Sequence, residues 1–140
     1  RVLFRSDVQK RINSTYKDFI SNENYEIPID KIAVDELDET LKLARKHKIQ
    51  IFAYYYPRPY KTFETKNYQN ALVKYRDTIK TILKPEDIIL DFNTDKYNYI
   101  RQSYDTYSDG SHLSAKGAQK VLKVLQKYID KYELGKLWLN

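Results

Sequence analysis

Apolar residues recur along this chain in two rhythms, one helical and one extended. Val8, Ile12, Tyr16, Phe19 and Ile20 fall three and four apart, which predicts a helix over 7–20, broken by the polar run 21–24. Residues 25–28 then read as extended chain. Val34, Leu37, Leu41 and Ala44 share one face of a second helix over 31–47, with a charged face opposite. The run 49–55 is β-branched and aromatic, too short for a helix, and stopped by Pro57 and Pro59, so it reads as a buried strand entering a Tyr-rich loop. Tyr68, Leu72, Tyr75, Ile79 and Ile82 return to helical spacing up to Leu83, and Pro85 prevents continuation. A second strand follows at 88–92, then a long polar stretch over 93–111. The last helix opens with Ser114 as its N-cap and carries Ala118, Val121, Leu122, Leu125, Tyr128, Ile129 and Tyr132 as its apolar face.

Helix, strand, helix, strand, helix with short connections is the pattern of an α/β fold with parallel strands joined by right-handed crossovers. Two strands are few, because a doubly wound sheet ordinarily holds about five or six. The chain is therefore expected to supply the C-terminal portion of a larger sheet and to leave an edge open where the N-terminal half of the same domain belongs.

Composition narrows the class without choosing a function. A length of 140 residues suits a single unit, 41% hydrophobic residues suffice for a core, and 31% charged residues oppose a membrane span. The longest apolar run, 49–56, is far below the roughly 20 residues that cross a bilayer, so membrane contact is expected only through segments outside the chain. Absence of cysteine excludes disulfides, thiolate catalysis and thiolate-bound zinc. A net charge of +6 favours polyanions in general, whether nucleic acid, anionic lipid or wall polymer. The opening residues 1–6 resemble the translation of a sequencing adapter and are expected to be extraneous or disordered.

Catalytic chemistry is concentrated in one short run, Asp109-Gly110-Ser111-His112-Leu113. In α/β sheets functional groups collect in loops leaving the carboxyl ends of strands, and this run lies in the long loop after the second strand. An imidazole accepts a hydroxyl proton near neutral pH. A carboxylate on its other nitrogen fixes the tautomer and stabilises the imidazolium. His112 and Asp109 are therefore the candidate base and its orienting acid.

That run, followed by Lys116-Gly117-Ala118 and an amphipathic helix, resembles the final Asp-x-x-His block of SGNH (GDSL-type) hydrolases. The preceding helix, Ile49-Gln-Ile-Phe-Ala-Tyr-Tyr-Tyr-Pro57, helix, and Ile88-Ile-Leu-Asp91-Phe are similar to cell-envelope SGNH-like proteins, including the DltD type that moves D-alanyl groups onto teichoic acids. The resemblance spans most of 31–132. It implies the C-terminal half of a flavodoxin-like three-layer α/β/α fold, a general base at His112, an orienting carboxylate at Asp109, and an extracytoplasmic or envelope-associated setting. It implies neither a metal nor an organic cofactor. The family also uses a serine after its first strand, a glycine and an asparagine. None has a counterpart here, where the glycines stand only at 110, 117 and 135.

The other candidates weigh less. His47, between lysines at a helix end, reads as a favourable partner of the helix dipole. Ser111 adjoins His112, yet neighbouring loop residues rarely achieve hydroxyl-to-ring geometry, and Ser114 serves as a cap. Asp91, Asp95 and Asp105 are too dispersed to converge on a hard cation and read as solvated surface. Among the 14 tyrosines, Tyr68, Tyr75, Tyr128 and Tyr132 sit on apolar helix faces. Tyr54, Tyr55, Tyr56 and Tyr60 at a strand end are placed to line a cleft and stack on a sugar or cover an acyl chain. This distribution argues against the stacking platform of a nucleic-acid binder. The expectation is an SGNH-type esterase or acyltransferase acting on an O-acylated cell-envelope carbohydrate or wall polymer, represented by its base-bearing half and inactive alone. The alternative is a noncatalytic SGNH-like domain that binds an envelope glycan or protein partner.

Overall fold

A computed structural model describes residues 5–22 and 24–137. Helix α1 (Arg5–Ser21) and helix α2 (Lys31–Lys46) precede strand β1 (Phe52–Tyr55). The short helix α3 (Tyr60–Phe63) and the long helix α4 (Lys66–Ile82) then lead to strand β2 (Ile88–Asp91). A 3-10 turn at Asp95–Tyr97, helix α5 (Asn98–Arg101) and a second 3-10 turn at Tyr104–Thr106 lead to helix α6 (Ala115–Leu137).

The chain is of the α/β class, helix-rich, around a two-stranded parallel sheet whose register pairs Phe52 with Ile88 and Tyr55 with Asp91. Alternation along each strand assigns the two faces. On one face Leu90 joins Phe92, Tyr97, Ile100 and Val121 in the largest buried cluster, and Phe52 meets Tyr132 edge-on, so α6 covers this side. On the other, the Asp91 carboxylate pairs with Arg76 of α4, whose guanidinium lies over the Tyr55 ring. A second cluster of Val8, Ile12 and Tyr107 attaches α1 to the long loop, and a third gathers Phe63, Tyr68 and Leu72.

Helix starts follow the capping chemistry. Asp30 accepts hydrogen bonds from the backbone N–H of Ile32 and Ala33 and opens α2. Ser114 accepts from Gly117 N at 3.0 Å and opens α6, as its position predicts. At the far end of α2, Lys48 adopts φ 57°, Lys48 N–H reaches Arg45 O and Ile49 N–H reaches Ala44 O. This two-bond stop uses up residues that the apolar pattern assigns to strand. The predicted strand over 49–55 accordingly starts only at Phe52, and Ile49 is exposed.

Several other expectations are corrected. Helix α1 includes residues 5 and 6 of the opening stretch, while residues 1–4 lie outside the described residues. The polar stretch over 93–111 holds three short helical turns, each below the length at which periodicity can be read. The apolar face of α6 is turned from the predicted one. Val124 packs inward with Val121, Leu125 and Tyr128, whereas Leu122 is 61% exposed. Helix α2 buries none of its residues, and its Ile32, Leu37 and Leu43 are exposed. Among the described residues no helix is long and apolar enough to cross a membrane.

Candidate active site

The loop that carries Asp109 and His112 is closed by an antiparallel bridge between Tyr107 and Leu113, with Ser108 N–H bonded to His112 O at 2.9 Å and Ser114 N–H to Thr106 O at 2.9 Å. Two glycines let it seat closely. A side chain at Gly117 would strike the Thr106 carbonyl, and one at Gly110 would strike the Thr15 side chain of α1. At Gly117 the surface met is backbone, so the absence of a side chain is what lets α6 approach the loop.

Inside the loop a single carboxylate organises the turn. Asp109 Oδ1 accepts from the backbone N–H of Ser111 and of His112, both at 2.8 Å. The other oxygen, Oδ2, lies 2.9 Å from His112 Nδ1, with Oδ1 at 3.1 Å. Partial burial pushes the Asp109 carboxyl up, but the two backbone donors and the His112 ring outweigh it and hold it below the usual carboxylate range. It is therefore ionised at neutral pH, and an anion on Nδ1 favours the tautomer that leaves Nε2 as the acceptor. The imidazole is 76% exposed, and Nε2 has no hydrogen-bond partner among the described residues.

Ser111 is brought to the ring, but on the wrong side for a triad. Its hydroxyl lies 3.2 Å from His112 Nδ1, the nitrogen that Asp109 already occupies. A nucleophile activated by His112 has to approach Nε2.

The loop is tied to the carboxyl end of β1 by Tyr56, whose hydroxyl accepts from Leu113 N–H at 2.6 Å. Burial is the main influence raising the Tyr56 hydroxyl above the ordinary tyrosine range, so it remains protonated. Asn93, just after β2, fastens the same strand end, accepting from Arg58 N–H at 2.8 Å and donating to Tyr56 O at 2.9 Å. Sequence reasoning placed Tyr56 only as cleft lining and did not single out Asn93. The available signal was position, since an amide one residue beyond a hydrophobic strand end can tie two parallel strand ends together.

Tyr54, Tyr55 and Tyr56 do line a common cavity of about 270 Å³, with Tyr25, Tyr68 and Tyr75. Tyr60 does not. It faces a different hollow, beside Arg101. Of the dispersed carboxylates, Asp91 is half-buried and ion-paired with Arg76 rather than solvated, which corrects the surface reading. Asp95 accepts from Asn98 at 3.0 Å, and the exposed Asp105 pairs with Lys116 at 2.9 Å. Among the described residues no cluster of three or more carboxylate or histidine side chains could hold a metal ion. His47 caps the end of α2 through its backbone. Comparison of the chain with family models, with curated proteins and with solved structures returns no match.

Proposed function

We propose that this chain carries the base-bearing part of an SGNH-type serine esterase or acyltransferase that acts on an O-acylated cell-envelope carbohydrate or polymer. The observation that carries the reading is the 2.9 Å contact from Asp109 Oδ2 to His112 Nδ1, beyond the carboxyl ends of two parallel strands, with Nε2 open to solvent. In this reading His112 Nε2 takes the proton of a serine hydroxyl from a segment outside these residues. The serine oxygen attacks the acyl carbon, and His112 delivers the proton to the departing sugar oxygen. Water or an acceptor hydroxyl then resolves the acyl-enzyme, with His112 acting again as base. Asp109 stabilises the imidazolium at each step.

Two further features support the reading. The uncovered apolar residues of α2 and the unpaired strand edges are surfaces that the N-terminal half of a flavodoxin-like α/β/α domain would cover. The tyrosine-lined cavity shares Tyr56 with the catalytic loop and suits stacking on a sugar ring or cover over an acyl chain. An envelope location belongs to the same proposal.

The test is ester hydrolysis by the full open reading frame that contains this chain, with acetylated wall carbohydrate and a chromogenic acetate as substrates. His112→Ala is expected to lower kcat by roughly 10³-fold or more with unchanged circular dichroism. Turnover retained in His112→Ala would refute the assignment, and absence of turnover in the unmutated protein would leave the binding-domain alternative standing.

A further inference from the structure

Where α1, α3 and the segment 101–107 meet lies another hollow, of about 140 Å³, whose wall includes Arg101, Tyr107, Tyr60, Lys61, Pro59 and Ile12. Its chemistry is unusual for a protein interior. The Arg101 side chain is 1% exposed, yet its Nε and Nη2 make no hydrogen bond, and neither does the buried Tyr107 hydroxyl. Nη1 alone is satisfied, donating to Asn98 Oδ1 at 3.1 Å. The half-exposed Glu64 carboxylate stands 3.6 Å from Nη2, beyond hydrogen-bonding distance. Arg101 Cζ lies over the rings of Tyr60 and Phe63, 5.1 and 4.5 Å from their centroids.

Glu64 thus supplies a counter-charge at ion-pair distance but accepts from neither Nε nor Nη2, and buried donors left without an acceptor are costly. Nε and Nη2 share one edge of the planar guanidinium and form two parallel donors, the arrangement that matches two oxygens of a carboxylate or phosphate. We propose that this hollow is an oxyanion-binding site, in which Arg101 Nε and Nη2 grip two oxygens and the Tyr107 hydroxyl donates to the bound anion. Burial holds the Tyr107 hydroxyl well above the ordinary tyrosine range, so it is a donor at any physiological pH. The ligand is a carboxylate or phosphate, either free or pendant on a larger molecule. The proposal is independent of the acyl-transfer reading, since it concerns binding without turnover.

The experiment is a titration of the ¹⁵N-labelled 140-residue chain with inorganic phosphate and, separately, with acetate, against sodium chloride at matched ionic strength. The Arg101 Nε–H resonance is the reporter. A saturable shift with an oxyanion and none with chloride is expected. Tighter binding of phosphate marks a phosphoester ligand, and tighter binding of acetate marks a carboxylate ligand. Tyr107→Phe keeps the shape of the site and should weaken binding roughly tenfold or more, as expected for one hydrogen bond to a charged group. Arg101→Lys keeps the charge without the fork and should remove the saturable phase, read there from neighbouring amides. Absence of a saturable shift with either anion, or affinity unchanged in Tyr107→Phe, overturns the proposal, and the second result does so even where Arg101→Lys fails to fold.

Discussion

Gly117→Ala sets two physical effects of opposite sign against each other, and the structure decides which prevails. Gly117 lies in the first turn of a 23-residue helix, where alanine in place of glycine is worth up to about 1 kcal/mol on propensity alone. The new methyl group, however, would overlap the carbonyl of Thr106, which is backbone and already accepts from Ser114 N–H. No rotamer change can relieve that contact. Relief requires α6 to move away from the Tyr104–Thr106 turn, stretching the bonds that close the loop of Asp109 and His112. Overpacking of this kind costs typically 1–3 kcal/mol and more where backbone must shift. Because backbone must shift here, the upper half of that range, about 2–3 kcal/mol, applies, and offsetting the propensity gain leaves a net loss of about 1–2 kcal/mol. With a urea slope of about 1–3 kcal/mol per molar, the unfolding midpoint should fall by roughly 0.3–2 M. Gly110→Ala provides the comparison, because its methyl meets the Thr15 side chain rather than backbone, and adding Thr15→Gly, which takes away the Cβ as well as the hydroxyl, removes the obstruction. A Gly117→Ala chain that is as stable as the parent, or more so, would show that the close approach of α6 to the loop is wrong.

Two further outcomes are expected. Asp87 is held below the usual carboxylate range because the Arg45 guanidinium and Lys84 N–H outweigh the opposing effect of its burial, and Asp109 is lowered by its own donors. Folded pKa values below the unfolded ones mean that the unfolded chain binds more protons in acid. Stability should therefore be full above the ordinary carboxylate range, fall as pH drops through the lowered folded values, and fall less steeply in Asp87→Asn, as read from urea midpoints against pH. Tyr56→Phe removes the acceptor of Leu113 N–H, which should cost about 1 kcal/mol and speed hydrogen exchange at that amide selectively. An unchanged exchange rate would place the loop elsewhere.

Long-period features were legible in the sequence, and short or cooperative ones were not. Helix α4 matches its apolar spacing to within about two residues because Tyr68 and Leu72 face a core and Pro85 stops it. Ser114 was legible because a cap acts within three residues. The strand boundary at Phe52 was not, since Lys48 occupies a positive-φ position where no glycine announces the turn. The face of α6 was misread because Leu122 is apolar but turned to solvent, and pattern cannot separate an uncovered apolar residue from a buried one. At the site, Asp109 and His112 were visible as a local motif. Arg101 and Tyr107 were invisible in a stretch that reads as polar loop, because their burial depends on α1 and α3 arriving from distant parts of the chain.

The same division governs how the candidate site would come apart. Asp109 and His112 are held together within four residues, by bonds that a short turn can form with little loop entropy to overcome. Their aim is held instead by Tyr56, from 57 residues away in sequence. The acid–base pair should thus form early in folding and outlast local opening, while its orientation arrives late and is lost first. Partial unfolding of this protein would leave an intact pair that has lost its orientation before the turn itself is lost.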